Sequence, residues 1–325
     1  TSTIDAAGGN DTISYAGSAA GVTVSLIDTT PADGQADATG LGGDAAGDSY
    51  YYINNLIGSG LNDTLTGNDG VNTLDGGAGI DTVDYSAKAT NVNVVLNGVA
   101  DGTGTTGGVT DTLRGIENVL GSNFNDSIIA DVNANSIDGR AGNDTVSYAN
   151  SLAAVTLTLG GATGVGGDAA GDVLVNVENL TGSNHADTLT GDANVNVLDG
   201  GAGNDSLAGL GGNDTLIGGA GTNILNGGTG IDIADYSAEI AAVTINLTSS
   251  GTNAAADFND TFVAIENVTG GTGADTLTGD AAINTLDGGG GNDTLLGGGG
   301  NDILVGGTGT NTLDGGTGID TADYS

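Results

Sequence analysis

A nine-residue unit, Gly-Gly-x-Gly-x-Asp-x-apolar-x, recurs along this chain and constrains its fold more than any other feature. Close copies occupy residues 76–84, 200–208, 288–296, 297–305 and 315–323. At 139–147 Arg140 replaces the second glycine, and the opening copy at 6–14 carries alanine in both leading positions. The copies form four uninterrupted arrays: 58–84 and 121–147 with three units each, then 182–235 and 270–323 with six each. A short fixed period of this kind reads as a solenoid, in which each unit buries its apolar residue only by stacking on its neighbours.

Each unit divides into six turn residues and a three-residue strand. The eighth residue, such as Leu65, Val83, Leu207 or Leu295, is the apolar centre of that strand and should point inward. Two units then make one coil with a strand on each side, so turns on the same side lie 18 residues apart. The aspartates at the sixth position obey that spacing. Asp63 pairs with Asp81, Asp126 with Asp144, Asp187 with Asp205, Asp214 with Asp232, Asp275 with Asp293, and Asp302 with Asp320, while Asp11 belongs to the opening copy. Two carboxylates and several turn carbonyls can supply the six or more oxygens that Ca²⁺ takes; Mg²⁺ prefers a tighter octahedron and keeps its waters. The turn glycines would bring those carbonyls close to an ion: Gly76 and Gly79, Gly200 and Gly203, Gly288 and Gly291, Gly297 and Gly300, Gly315 and Gly318.

Charge points the same way. Forty-one acidic residues face only Lys88, Arg114 and Arg140, for a net charge of −38. Such a chain repels phosphate backbones and anionic bilayers, which argues against nucleic-acid and membrane partners. Its self-repulsion keeps it expanded until cations neutralise it. With 64 glycines and no tryptophan, methionine or cysteine, the core must be built from Val, Ile, Leu and Ala, without disulfides. No apolar run reaches the 18 residues that a membrane helix needs.

The segments between arrays, 15–57, 85–120, 148–181 and 236–269, share a plan. Each opens with a tyrosine (Tyr15, Tyr85, Tyr148, Tyr236), and Tyr324 begins a fifth. Alternating apolar residues follow, Val22/Val24/Leu26, Val92/Val94/Leu96, Val155/Leu157/Leu159 and Val243/Ile245/Leu247, which predict a strand. A loop of variable length comes next. Asp48, Asp111, Asp172 and Asp260 lie 15 residues before the first aspartate of the next array, and Asn54, Glu117, Glu178 and Glu266 lie nine before it. Nine is the unit length, so the coil should continue through each insert, with these last residues at the ligand position of a degenerate unit. The tyrosines are expected to cap the core. Tyr50, Tyr51 and Tyr52 are expected to pack within the longest insert.

The units resemble the glycine-rich nonapeptide of the repeats-in-toxin (RTX) proteins, the hemolysin-type calcium-binding repeats. The resemblance covers the four arrays and the opening copy. It implies an all-β parallel β-roll or β-helix solenoid, several Ca²⁺ ions between stacked turns, type I secretion and folding outside the cell. Asn72, Asn135, Asn196, Asn223, Asn284 and Asn311 depart from the pattern at the sixth position, and the sites they face should be weaker or empty. Enzyme signatures are missing: Lys88 sits in Ala-Lys-Ala rather than a phosphate loop, and His185, the single histidine, lies at a variable turn position. The reading is therefore one continuous calcium-binding solenoid over 1–325, an extracellular scaffold of an adhesin, surface layer or filament. The alternative is the secretion and folding module of a secreted protease or lipase. Ser2-Thr3-Ile4-Asp5 matches the strand end of a unit, and Asp323-Tyr324-Ser325 enters another insert. The sequence thus reads as a window of a longer solenoid, with further repeats or other copies of the chain as partners.

Overall fold

The computed structural model describes residues 2–6, 8–27, 38–98, 100–248, 250–253 and 259–323; the fifth insert at Tyr324 lies outside them. Among the described residues the regular structure is strand, apart from single 3₁₀ turns at Gly43–Ala45 and Gly167–Ala169, and no helix is long and apolar enough to cross a membrane. Most units resolve into the two parts, although Ser206–Gly211 and Ile224–Thr229 run on as six-residue strands into the following turn. Residues 67–72 form a turn, for instance, and Thr73–Asp75 the strand that follows. Three residues suffice for a strand here because only the middle one must be apolar. Leu74, Leu207, Leu216, Leu277 and Leu295 are completely buried, while their neighbours along the strand are half-buried. Burying a leucine contributes roughly 1.5–3 kcal/mol, and one strand offers a single such residue.

Stacking is parallel, at the spacing that the repeat predicts. Leu56 lies beside Leu74, Leu65 beside Val83, Leu198 beside Leu216, Leu207 beside Leu225 and Leu286 beside Leu304. Every inward leucine thus meets the same kind of residue one coil away. A slip by one residue would turn that column out to solvent.

Packing divides the chain into two compact units, residues 1–147 with 161–177 and residues 148–160 with 178–325. Within each, successive strands alternate between two sheets. In the first unit, Thr64–Thr66, Thr82–Asp84, Asn118–Leu120 and Ser136–Asp138 share one sheet; Asn55–Ile57, Thr73–Asp75, Ser127–Ile129 and Thr145–Ser147 belong to the other. In the second unit, Thr188–Thr190 and Thr276–Thr278 share a sheet, and Val197–Asp199 and Thr285–Asp287 lie in the other.

The inserts do more than continue the coil. Val92–Val95 is the predicted apolar strand, and it stacks on the next array with Val94 beside Ile128. The variable loop that follows is also strand. Gly102–Thr106 pairs antiparallel with Val92–Val95 and then with Val109–Arg114, whose Leu113 rejoins the coil beside Leu74. Gly107 and Gly108, with φ of 56° and 84°, make the tight turn, and a Gly-Gly pair between two β-rich runs is a hairpin signal. The first insert places Thr23–Ser25, Ala38–Leu41 and Ser49–Tyr51 in the same way, but in the other sheet. In the second unit, Val243–Asn246, Ser250–Asn253 and Asn259–Val263 repeat the arrangement.

Each insert closes on a turn of three residues, not six. Between Val109–Arg114 and Asn118–Leu120 lie only Gly115, Ile116 and Glu117. Asn118 nevertheless pairs with Thr82, and Asn267 pairs with Ile233, so the coil continues as the spacing requires. The shortening needs a left-handed residue, and Tyr52, Gly115, Asn176 and Ala264 take φ of 57°, 51°, 50° and 49°. The next residue, Ile53, Ile116, Val177 or Ile265, is 5% exposed and fills the space inside the bend. A left-handed non-glycine residue costs about 1–2 kcal/mol. Ala264→Gly should therefore raise the denaturation midpoint, by up to about 1 kcal/mol after glycine's own entropic cost. A lowered midpoint would show that this turn is not strained.

Candidate metal centre

The sixth turn residue holds consecutive coils together. Its backbone N–H donates to Oδ1 of the sixth residue one coil further on. Asp63 donates to Asp81 at 2.8 Å, Asp126 to Asp144 at 2.7 Å, and Asp187 to Asp205, Asp214 to Asp232 and Asp275 to Asp293 at 2.8 Å. Asp302 donates to Asp320 at 3.0 Å, and in the opening copy Asp11 donates to Asn54 at 3.1 Å. All six aspartate pairs read from the spacing are therefore stacked pairs. The inserts join the same ladder: Asp81 N–H donates to Glu117 Oε2 at 2.8 Å, Asp232 N–H to Glu266 Oε2 at 2.9 Å, and Asn72 N–H to Asp111 Oδ1 at 2.9 Å.

The second carboxylate oxygen separates two kinds of aspartate. In Asp11, Asp81, Asp205, Asp214, Asp232, Asp293 and Asp302, Oδ2 is buried without a hydrogen-bond donor. Each array's first aspartate is different. Asp63, Asp126, Asp187 and Asp275 accept at Oδ2 from the N–H of Ser59, Ser122, Ser183 and Gly271 in their own turns, at 2.5–2.8 Å. In the first three, the serine hydroxyl also donates to Oδ1.

Except at Asp11, whose turn opens with Ala6, the unpartnered oxygens face a cradle left by the first glycine of the turn. A Cβ on Gly200 would stand 2.6 Å from Asp205 Oδ2 and 2.9 Å from the carbonyl oxygen of Gly218, one coil on. A Cβ on Gly209 would similarly meet Gly227 O at 2.7 Å as well as Asp214 Oδ2, and one on Gly297 would meet Gly315 O at 2.6 Å as well as Asp302 Oδ2. Gly76, Gly288 and Gly315 stand in the same relation to Asp81, Asp293 and Asp320. The fourth glycines carry the bend: Gly79, Gly203, Gly291, Gly300 and Gly318 have φ of 118–148°. Among the described residues no three Asp, Glu, His or Cys side chains converge. The donors that the turns present are carboxylate oxygens together with main-chain carbonyls, a hard, oxygen-only set of the kind Ca²⁺ takes.

A family model described as the RTX calcium-binding nonapeptide repeat matches residues 50–83, 111–147, 177–207, 199–234, 269–304 and 287–322, more than half of the chain. This chain belongs to the RTX calcium-binding repeat family. The opening copy at 6–14 lies outside the matched spans, and none of the curated proteins matches the chain.

Within this RTX chain the asparagines at the sixth position have a definite task. Asn72, Asn135, Asn196 and Asn284 direct Nδ2 at the carbonyls of Asn54, Glu117, Glu178 and Glu266, at 2.7, 2.8, 2.9 and 2.7 Å. These acceptors lie 18 residues back, on the three-residue turns. Asn223 Nδ2 donates to Gly219 O and Asp260 Oδ1, and Asn311 Nδ2 to Gly306 O and Gly307 O. An amide supplies hydrogen where a carboxylate could only have repelled the carbonyl.

The insert tyrosines close further oxygens. Tyr15, Tyr85 and Tyr236 are buried, and their hydroxyls donate to Oδ2 of Asp48, Asp111 and Asp260 at 3.2, 3.3 and 2.7 Å. Burial and the neighbouring carboxylate push each of these hydroxyl pKa values up. Sequence reasoning singled out both partners but not the bond. The signal was that every insert holds one tyrosine at its start and one such aspartate near its end. Of the tyrosine triplet, Tyr50 is buried and shares a 2.6 Å hydrogen bond with Tyr15, whereas Tyr52 is exposed. His185 is exposed, as its turn position predicts. Sequence reasoning also passed over the ninth-position aspartates Asp75, Asp199 and Asp287, whose charges bear on Asp81, Asp205 and Asp293.

Burial, followed by neighbouring carboxylates, raises Asp81, Asp205 and Asp214 from 3.8 to about 6. The ion-free fold therefore holds protons that the unfolded chain releases. The stability they supply is complete below pH 3.8 and is lost as the pH rises through about 6. In chelator, circular dichroism should show more β structure near pH 4 than at pH 7; the reverse order would refute it. Asn284→Asp replaces a donor facing Glu266 O with an acceptor and should cost about 1–3 kcal/mol in calcium-saturated protein. An unchanged denaturation midpoint would show that the amide is dispensable.

Proposed function

We propose that this chain is an extracellular structural scaffold whose stacked turns bind calcium and which folds when they do. The observation that carries this reading is the row of buried Oδ2 atoms without donors, each set against the first-glycine cradle of its turn. Asp81, Asp205, Asp214, Asp232, Asp293 and Asp302 would hold the ions with carbonyls such as Gly218 O, Gly227 O and Gly315 O. The array-opening Asp63, Asp126, Asp187 and Asp275 would contribute less, since their own turns occupy Oδ2. The net charge of −38 supports a fold that forms only where divalent cations are abundant, as outside the cell. The matched repeats are calcium-binding structure, and we assign the chain no catalysis.

The experiment is circular dichroism of the chain in millimolar calcium and in chelator at pH 7. Calcium should convert a largely disordered chain into β structure by mass action on the folded state. Equal β content in both conditions would sink the proposal. Asp205→Asn should lower bound calcium more than Asp187→Asn, and equal losses would remove the distinction between open and closed carboxylates.

A further inference from the structure

The geometry points to an additional cation site, outside the sixth-position scheme, at which Asp131 and Asp168 bind one hard divalent cation between two stacked turns of the first unit. Asp131 is the second residue of the turn 130–135. The last insert segment of the same unit lays a six-residue turn, 167–172, over it. Asn135 N–H donates to Asp172 Oδ1 at 2.8 Å, Val173 N–H donates to Asn135 O at 2.9 Å, and Ser136 pairs with Val173. Counting back four residues from Asn135 and from Asp172 reaches Asp131 and Asp168, the second residue of each turn. The backbones approach closely here: a Cβ on Gly171 would stand 2.9 Å from Ala134 Cβ.

Asp131 is only 6% exposed. Its Oδ1 accepts from Asn133 N–H at 2.8 Å and from Asn135 Nδ2 at 3.4 Å, while its Oδ2 is buried without a donor. Asp168 is half-buried. Its carboxyl pKa is raised by burial and then by the charge of Asp131, so the two negative groups sense each other. A buried carboxylate oxygen without a donor, in a turn stacked on one that carries a second carboxylate, is costly unless a cation joins them.

The corresponding turn of the preceding array already carries a cation, and the chain itself supplies it. Residues 67–72, like 130–135, belong to the second unit of a three-unit array. There Lys88, 7% exposed, reaches from the following insert and donates Nζ to Asn68 O at 2.5 Å and Asp69 Oδ1 at 3.2 Å. Where one insert delivers an ammonium to this turn, the next delivers a carboxylate. The positive charge at the second place then comes from solution. This site uses the second turn residue, so it stands or falls separately from the sixth-position sites.

The test counts calcium bound to the whole chain by elemental analysis after desalting. Asp131→Asn and Asp168→Asn should each lose one ion per chain, and the double variant one ion, not two. An unchanged count in either single variant overturns the site, and a loss of two in the double variant overturns the shared ion. Asp168→Lys copies the Lys88 solution at this position. It should lose the same ion, yet keep the denaturation midpoint at or above that of the parent in limiting calcium; a lowered midpoint overturns the proposal. Retention of the other ions in these variants separates failure here from failure of the repeat sites. A parent chain without any calcium would refute both.

Discussion

The structure depends on one hydrogen bond repeated from coil to coil, from the backbone N–H of the sixth turn residue to a side-chain oxygen of the sixth residue in the next coil. It spans the stacking direction, as the parallel strand ladder does, but it ends on a charge. Each rung is made by one carboxylate oxygen and leaves the other to be satisfied. Everything that distinguishes one turn from another is a different answer to that second oxygen. Later aspartates such as Asp81, Asp205 and Asp293 leave it open toward a glycine cradle. Array-opening aspartates close it with a backbone N–H, and the insert aspartates Asp48, Asp111 and Asp260 close it with a tyrosine hydroxyl. The asparagines avoid the question by carrying a donor in its place.

This explains why so acidic a chain can stack carboxylates in columns at all. A leucine per strand is a modest apolar contribution, and glycine-rich turns lose much entropy on ordering. The carboxylates add desolvation and then mutual repulsion on top, which is what raises Asp81, Asp205 and Asp214. Protons and divalent cations relieve the same strain. The fold is thus conditional on its ionic surroundings at the level of individual oxygen atoms.

Period and spacing made much of this legible. The nine-residue unit with one apolar position predicted the three-residue strands, and the 18-residue spacing of Asp63 and Asp81 predicted their stacking. The alternation of Val92, Val94 and Leu96 predicted the strand that stacks on Ile128. What was hidden depended on geometry without a period. The second and third strands of each meander vary in length and composition, and only Gly107-Gly108 hinted at a hairpin. The three-residue turn was implicit in the six-residue gap between Asp111 and Glu117, but a gap shorter than the unit says nothing of the left-handed residue that bridges it. The split between open and closed aspartates rests on the backbone of the second turn residue, whose N–H reaches Oδ2 from Ser59, Ser122 and Ser183 and equally from Gly271. In the sequence the serines look like ordinary substitutions for glycine, and Gly271 looks like any other repeat glycine.

The meanders in the first unit emerge from opposite sheets, the first beside Thr64–Thr66 and the second beside Ser127–Ile129. The array between them has three units. Since each unit crosses from one sheet to the other, an odd number of units moves the next meander to the opposite face, and an even number would return it to the same face. The count of nonapeptides between inserts is therefore a parity code for surface decoration. Deleting one unit would transfer a whole β-meander across the molecule, whereas deleting two would only bring it one coil nearer. Repeat expansion and contraction in such a chain can thus rearrange what each face displays without altering a single residue of the displayed parts.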